Sequence, residues 1–293
     1  MLDTAAQLDT LVRINIQDLL EAWGLGKVRR GRQLLDWICA PAARQFAREI
    51  IAYDNAVGAD GLQSGSAWMV ERVVQHIEAR GQADIPATGP LLVLSNHPGL
   101  MDAISLFATL PRPDLRIIAA DRPFLRALPH TDRYLIYVPE QAEGRMGVVR
   151  EATKHLRQGG AILTFPAGHI EPDPETMPGA VESLQTWAES IAVFARLAPH
   201  TRIVPAIVSG VITAAALRHP LARIRRAQKD REWLAATLQI ILQRFFAAYK
   251  PACVRVSYGE PLLAADLIER GGQTEVMKAV REGAQKLVEG SRT

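Results

Sequence analysis

The chain has 293 residues, 48% apolar and 22% charged, which is enough to bury one large core and too apolar for a disordered protein. Its 34 Lys and Arg against 31 Asp and Glu leave a net charge of +3, a soluble surface that requires no nucleic acid. Cys39 and Cys253 are the only cysteines, so neither a disulfide framework nor a thiolate metal site is expected, and a reducing cytoplasm is the default.

Residues 1–84 read as a helical region. Asp9 to Trp23 carries Leu11, Ile14, Ile16, Leu19 and Leu20 at helical spacing and ends at Gly24 and Gly26. A second helix is predicted from Arg32 to Tyr53, bent or interrupted at Pro41. Gly58 to Gly65 is a break, and a third helix is predicted from Ser66 to Arg80. The start of the chain lacks the basic and apolar blocks of a secretory signal. No run of about 18 uncharged apolar residues is present, so no membrane-spanning helix is expected.

The pattern changes at the linker Asp84-Ile85-Pro86-Ala87-Thr88-Gly89-Pro90. Strands are predicted at about 91–95, 115–119, 134–138, 161–165, 203–208 and 253–258. Helices fall near 101–110, 145–158, 179–197, 211–227, 230–249 and 273–289. Such alternation predicts an α/β domain over residues 85–293, a mostly parallel sheet flanked by helices, behind the N-terminal helical region.

Two segments carry chemistry, and both follow predicted strands. Ser95-Asn96-His97-Pro98-Gly99-Leu100-Met101-Asp102 leaves the apolar run Leu91-Leu92-Val93-Leu94. A neutral imidazole takes a proton near pH 7, and a carboxylate on its other nitrogen fixes the tautomer and stabilises the imidazolium. No serine or cysteine nucleophile stands nearby, so His97 would activate a substrate hydroxyl, with Asp102 orienting it. The second segment, Thr164-Phe165-Pro166-Ala167-Gly168-His169, is a turn in which Gly168 permits φ > 0 and exposed N–H groups can receive an oxyanion. Ligands of open α/β sheets bind beyond the carboxyl ends of the strands, so the two segments are expected to share one cleft.

Together these segments resemble the glycerolipid acyltransferase family, the PlsC-like enzymes with the H-x-x-x-x-D motif. His97 and Asp102 match its first block and Phe165-Pro166-x-Gly168 its third, usually Phe-Pro-Glu-Gly. Val204-Pro205-Ala206-Ile207 looks like the fourth, and Val254 to Leu262 resembles the late strand and turn of these domains; the resemblance covers roughly residues 85–263. It implies that His97 deprotonates an acceptor hydroxyl, which attacks the thioester of acyl-CoA or acyl carrier protein, with oxyanion donors around Ala167 and Gly168. No cofactor, metal or covalent acyl-enzyme is implied. The implied partners are the acyl donor and a glycerolipid precursor or lysolipid acceptor, with the protein cytoplasmic and peripheral on the inner face of the cell membrane.

The departures from the pattern are specific. Ala167 stands in place of Glu, and His169-Ile170-Glu171 in place of Thr-Arg-Ser. The stretch Tyr134 to Glu140 lacks the Arg that usually holds an acceptor phosphate. Asn96, Arg133, Arg145, His169 and Glu171 remain as acceptor-binding candidates. The missing cations disfavour a phosphate monoester such as glycerol 3-phosphate, and the Phe-Pro-Ala-Gly form looks more like the hemolysin-like and lyso-ornithine-lipid branch.

Two other readings stand beside this one. A catalytically impaired lipid-binding protein of the same fold would explain Ala167 and the missing arginines. A metal-dependent hydrolase would use His97, Asp102, His169, Glu171 and Asp173, though Pro172 and Pro174 make that last segment read as a solvated acidic turn. No G-x-S-x-G elbow, Walker A sequence or dinucleotide fingerprint occurs. Leu34, Leu35, Trp37, Ile38 and Phe46, with Arg32, Arg44 and Arg48, or Leu221 to Arg226 with Trp233, can form an interfacial surface. Packing of the N-terminal helices onto the α/β domain is the favoured alternative.

Overall fold

The computed structural model describes residues 4–139, 141, 144–220, 234–235, 238–239 and 252–291. Glu140, Leu221 to Arg226, Trp233 and most of the two helices predicted over 211–249 lie outside the described residues.

Helix α1 (Thr4–Ala22) and helix α2 (Arg32–Val73) form the N-terminal region. α2 runs through Pro41 and is broken instead at Gly61, where φ is +86°, a conformation that costs glycine nothing sterically. The third predicted helix stops at Val73: residues His76–Arg80 are strand β1, paired with the late strand β7 (Cys253–Tyr258). The sheet therefore begins before the linker at 84–90. Ile77 and Ala79 lie at strand spacing, but Trp68, Val70, Val73 and Val74 before them keep helical spacing, which hid the change of period.

The remaining strands are β2 (Leu91–Ser95), β3 (Leu115–Ala120), β4 (Leu135–Val138), β5 (Ala161–Thr164), β6 (Arg202–Ser209) and β8 (Leu262–Leu263). Their order is β1-β7-β6-β2-β5-β3-β4, with β8 also on β6. Strands β6, β2, β5, β3 and β4 run parallel, while β7 and β8 lie antiparallel to β6. The fold is thus α/β with a mostly parallel sheet, as expected. Every residue of β2 is buried, which explains its uninterrupted apolar run: a central parallel strand is covered on both faces.

The pleat sends Leu91 and Val93 into one core and Leu92 and Leu94 into the other. The first core lies under α1, α2 and helix α3 (Leu100–Thr109). The second lies under α5 (Arg145–Arg157), α7 (Ser190–Leu197) and the C-terminal helix α9 (Ala264–Gly290). Short α4 (Pro123–Arg126), α6 (Ala180–Ser183) and α8 (Ala214–Arg218) fill connections. The helix predicted over 179–197 is divided into α6, a 3-10 turn at Leu184–Thr186 and α7.

Candidate active site

The sheet register brings the two chemistry-bearing segments together. Leu94 of β2 is level with Thr164 of β5, and Ser95 with Ala206 of β6. The chain leaving β2 therefore emerges beside the chain leaving β5, at the carboxyl edge. Asn96 comes first. Its Oδ1 accepts the Val208 N–H at 2.8 Å and its Nδ2 donates to Val208 O at 2.9 Å. The side chain thus replaces one step of the β2–β6 ladder where the backbone turns away, and both its polar groups are occupied.

His97 follows, and Pro98-Gly99 turns the chain into α3. The turn returns Asp102, in the first helical turn, to the imidazole: His97 Nδ1 lies 2.8 Å from Asp102 Oδ2. That oxygen also accepts the Gly99 N–H at 2.9 Å, and the helix N-terminus favours the negative charge. Asp102 is fully buried, while the His97 side chain keeps 30% of its surface exposed. Because Nδ1 faces a carboxylate, Nε2 is the nitrogen left to accept a proton. Phe165 lies against the ring, with centroids 4.6 Å apart. Burial pulls the His97 pKa down, but the Asp102 charge, their hydrogen bond and the charge of Glu171 outweigh it, and the net shift is upward.

The β5 turn is closed by the Gly168 N–H, which donates to Phe165 O at 3.1 Å. Gly168 sits at φ +69°, and a Cβ there would meet no atom within 4 Å, so the turn is open to solvent above it. Its own N–H is spent on the turn. Among the described residues, the flanking N–H groups of Ala167 and His169 make no protein hydrogen bond, and they are the free donors of this turn. The His169 imidazole is exposed and lies 2.8 Å from Ala167 O.

Glu171 does not face solvent. It is 2% exposed, and its carboxylate accepts from the His97 N–H, the Ser183 hydroxyl and the Trp187 indole N–H. Burial raises its pKa, partly offset by those donors. Asp173 is also buried and takes the N–H groups of Gly210 and Ile212 at 3.0 Å each, tying this loop to the end of β6. The predicted solvated acidic turn is therefore folded inward. Its carboxylates are turned onto protein donors, and among the described residues no group of three His, Cys, Asp or Glu is placed to hold a metal ion.

Among the described residues, neither candidate arginine makes a hydrogen bond or ion pair with His97 or Asp102. Arg133 precedes β4 and so lies at the amino edge of the sheet, while Arg145 opens α5 behind β4, the outermost strand. A cation that sequence reasoning missed is Arg122, two residues past the carboxyl end of β3. It lines a cleft of about 890 Å³ with Arg13, Ile14, Phe46, Phe124 and Ile170. The signal was available: Ala119-Ala120-Asp121-Arg122 leaves a parallel strand at the edge where ligands bind. Ile170 links this cleft to the segment carrying Glu171.

Residues 76–209 match the acyltransferase family model. A solved structure, the 1-acyl-sn-glycerophosphate acyltransferase PlsC from Thermotoga maritima, is similar over 98% of this chain and 95% of its own, at 16% identity and a TM-score of 0.45. No curated protein sequence matches.

Proposed function

We propose that this protein, with its acyltransferase-family segment, moves a fatty acyl group from an acyl-CoA or acyl-ACP thioester to a hydroxyl of a glycerolipid precursor or lysolipid. The observation that carries this reading is the His97–Asp102 pair at 2.8 Å beside an open turn with unpartnered N–H groups. In this reading Nε2 of His97 takes the acceptor's hydroxyl proton as its oxygen attacks the thioester carbonyl. The Ala167 and His169 N–H groups receive the oxyanion. Collapse forms the ester and breaks the carbon–sulfur bond, and the departing thiolate recovers the proton from His97.

The cleft beside Ile170 supports a lipid acceptor. Its Ile14, Phe46, Phe124 and Ile170 walls suit an acyl chain, and Arg13 and Arg122 suit polar groups at its rim. Glycerol 3-phosphate has no chain to fill it, so a lysolipid is the proposed acceptor, its polar headgroup meeting Arg13 and Arg122 at the rim.

Membrane contact belongs to the same reading. On α2, Leu34, Trp37 and Ile38 are 61%, 73% and 54% exposed, while Cys39, Ala43, Ala47 and Ile50 on the other face are buried. The expected packing of this helix onto the α/β domain thus involves one face alone, with Leu35 and Phe46 half-buried beside it. Exposed Lys27, Arg29, Arg30, Arg44 and Arg48 flank the apolar face, a pattern that fits an anionic lipid surface. Among the described residues no helix is long and apolar enough to cross a membrane.

The test is thiol release from acyl-CoA and acyl-ACP with a panel of lysolipids and glycerol 3-phosphate. His97→Ala is expected to lower turnover about 10³-fold. Full activity in the folded variant would remove the base. Equal or better turnover of glycerol 3-phosphate would remove the lysolipid assignment. Absence of thiol release with every pair, in folded native protein, would favour the lipid-binding alternative.

A further inference from the structure

The reaction as proposed uses one carboxylate, and a second is buried against the same histidine. Glu171 grips both backbone groups of His97. The His97 N–H donates to Glu171 Oε2 at 3.1 Å, and the Glu171 N–H donates to His97 O at 2.9 Å. The other oxygen, Oε1, accepts from Trp187 Nε1 and Ser183 Oγ, each at 3.0 Å. Trp187 is 1% exposed, so the far side of the carboxylate is anchored in the second core.

We propose that Glu171 is a positioning residue for acyl transfer, its carboxylate holding the His97 backbone in register with the Phe165–Glu171 turn that supplies the oxyanion donors. The inference rests on the acyl-transfer reading above. Its physical basis is the cost of burying a charge. A carboxylate without a cationic partner loses hydration that neutral donors restore only in part, and stability alone gives no reason to keep it. Asp173, two residues on, shows what a purely structural carboxylate does here: it ties the loop to Gly210 and Ile212 of the β6 end. Glu171 instead ties the loop to the residue that moves the proton. A displacement of about 1 Å between a base and an oxyanion site costs about 10²-fold in rate, and the paired His97–Glu171 hydrogen bonds set that separation.

Among the described residues, two negative groups face His97: Asp102 from α3 and Glu171 from the loop after β5. His169 faces Glu171 from the same loop. Ser183 and Trp187 are neutral, and Asp173 is turned to the β6 end. Removing the Glu171 charge therefore removes one of the influences that raise the imidazole pKa, and the base limb of the pH profile moves to lower pH.

Glu171→Gln tests this, because an amide accepts at one atom only and must give up either His97 or Trp187. In the folded variant kcat is expected to fall about 10- to 100-fold. KM for acceptor and thioester should stay within about twofold, and the rising limb of kcat/KM should shift to lower pH. Unchanged kcat with an unmoved limb overturns the proposal, as does a rise in KM alone. Should Glu171→Gln not fold, Trp187→Phe keeps a buried ring and removes the N–H to Oε1. It is expected to lower kcat several-fold at constant KM, and an unchanged kcat there overturns the proposal. His97→Ala, run alongside, separates the two claims: if it stays fully active the acyl-transfer base fails, and if it is inactive while Glu171→Gln is normal only the positioning role fails.

Discussion

The two ends of the same parallel sheet treat their buried polar groups in opposite ways. At the amino edge, Arg112 is 2% exposed and every nitrogen of its guanidinium is engaged: it donates to Pro86 O, Gly89 O, Gly159 O and both oxygens of Asp114. These partners come from the chain just before β2, β3 and β5, so one side chain closes that end of the sheet. At the carboxyl edge, Asp102 and Glu171 are buried and fully engaged, but among the described residues His97 Nε2 has no protein partner. At the amino edge each nitrogen of the buried group is tied to the protein, whereas the carboxyl edge uses two buried carboxylates to hold a histidine with one nitrogen left free at a surface.

Three variants sharpen this contrast. Asp102→Asn has the largest expected effect, a loss of about 10²- to 10³-fold in kcat, or about 3–4 kcal/mol in the barrier. The amide can donate to Nδ1 and so favours the tautomer with a proton on Nε2, which blocks the base. The sign of the pH effect follows from the charge. Asp102 raises the His97 pKa in the native protein, so activity rises with pH through a value above that of an ordinary histidine, and in Asp102→Asn the limb moves to lower pH. The pair stabilises the fold most while the imidazole is protonated, and that contribution is lost as pH rises through the raised pKa. A pH–rate profile and a pH series of denaturant melts measure both; a limb that does not move would show that the two groups are uncoupled.

Arg112→Ala probes the other end. It is expected to cost about 3 kcal/mol of stability, because buried carbonyls lose their donor. The pH limb of the remaining folded enzyme should not move. Chemical denaturation and the pH–rate profile read the two effects separately, and a shifted limb would mean that the edges are not independent.

The smallest effect is expected from Trp37→Ser with Ile38→Ser, on the exposed face of α2. Affinity for anionic phospholipid vesicles should fall about tenfold, equivalent to about 1.4 kcal/mol, while turnover of a water-soluble short-chain acceptor stays unchanged. Vesicle co-sedimentation measures this. Undiminished binding would place the membrane contact elsewhere.

How much of the site could be read from the chain depended on how local its causes are. The His97 to Asp102 spacing is local, since the end of a buried strand, a Pro-Gly turn and a helix start occupy the eight residues from Ser95 to Asp102. Asn96 was legible as part of the motif, but its role was not, because its partner Val208 is 112 positions away. Pro172 and Pro174, which follow Glu171 and flank Asp173, make the segment read as a solvated acidic turn. The donors that make the burial of Glu171 tolerable, Ser183 and Trp187, arrive only when the following segment folds back. Strand β1 was missed for the same reason, as its partner β7 lies near the other end of the chain.

The amino-acid order by itself determined the alternation of strands and helices, the apolar runs that must be covered on both faces, and the imidazole with its acid five positions on. These follow from periodicity and from short-range geometry, which act within a few residues. Only the tertiary structure decided which carboxylates are buried, which N–H groups stay unpartnered, which arginine reaches the cleft and which face of α2 is left bare. Those outcomes depend on the register between distant strands, and desolvation acts on a group only once the rest of the chain has closed around it.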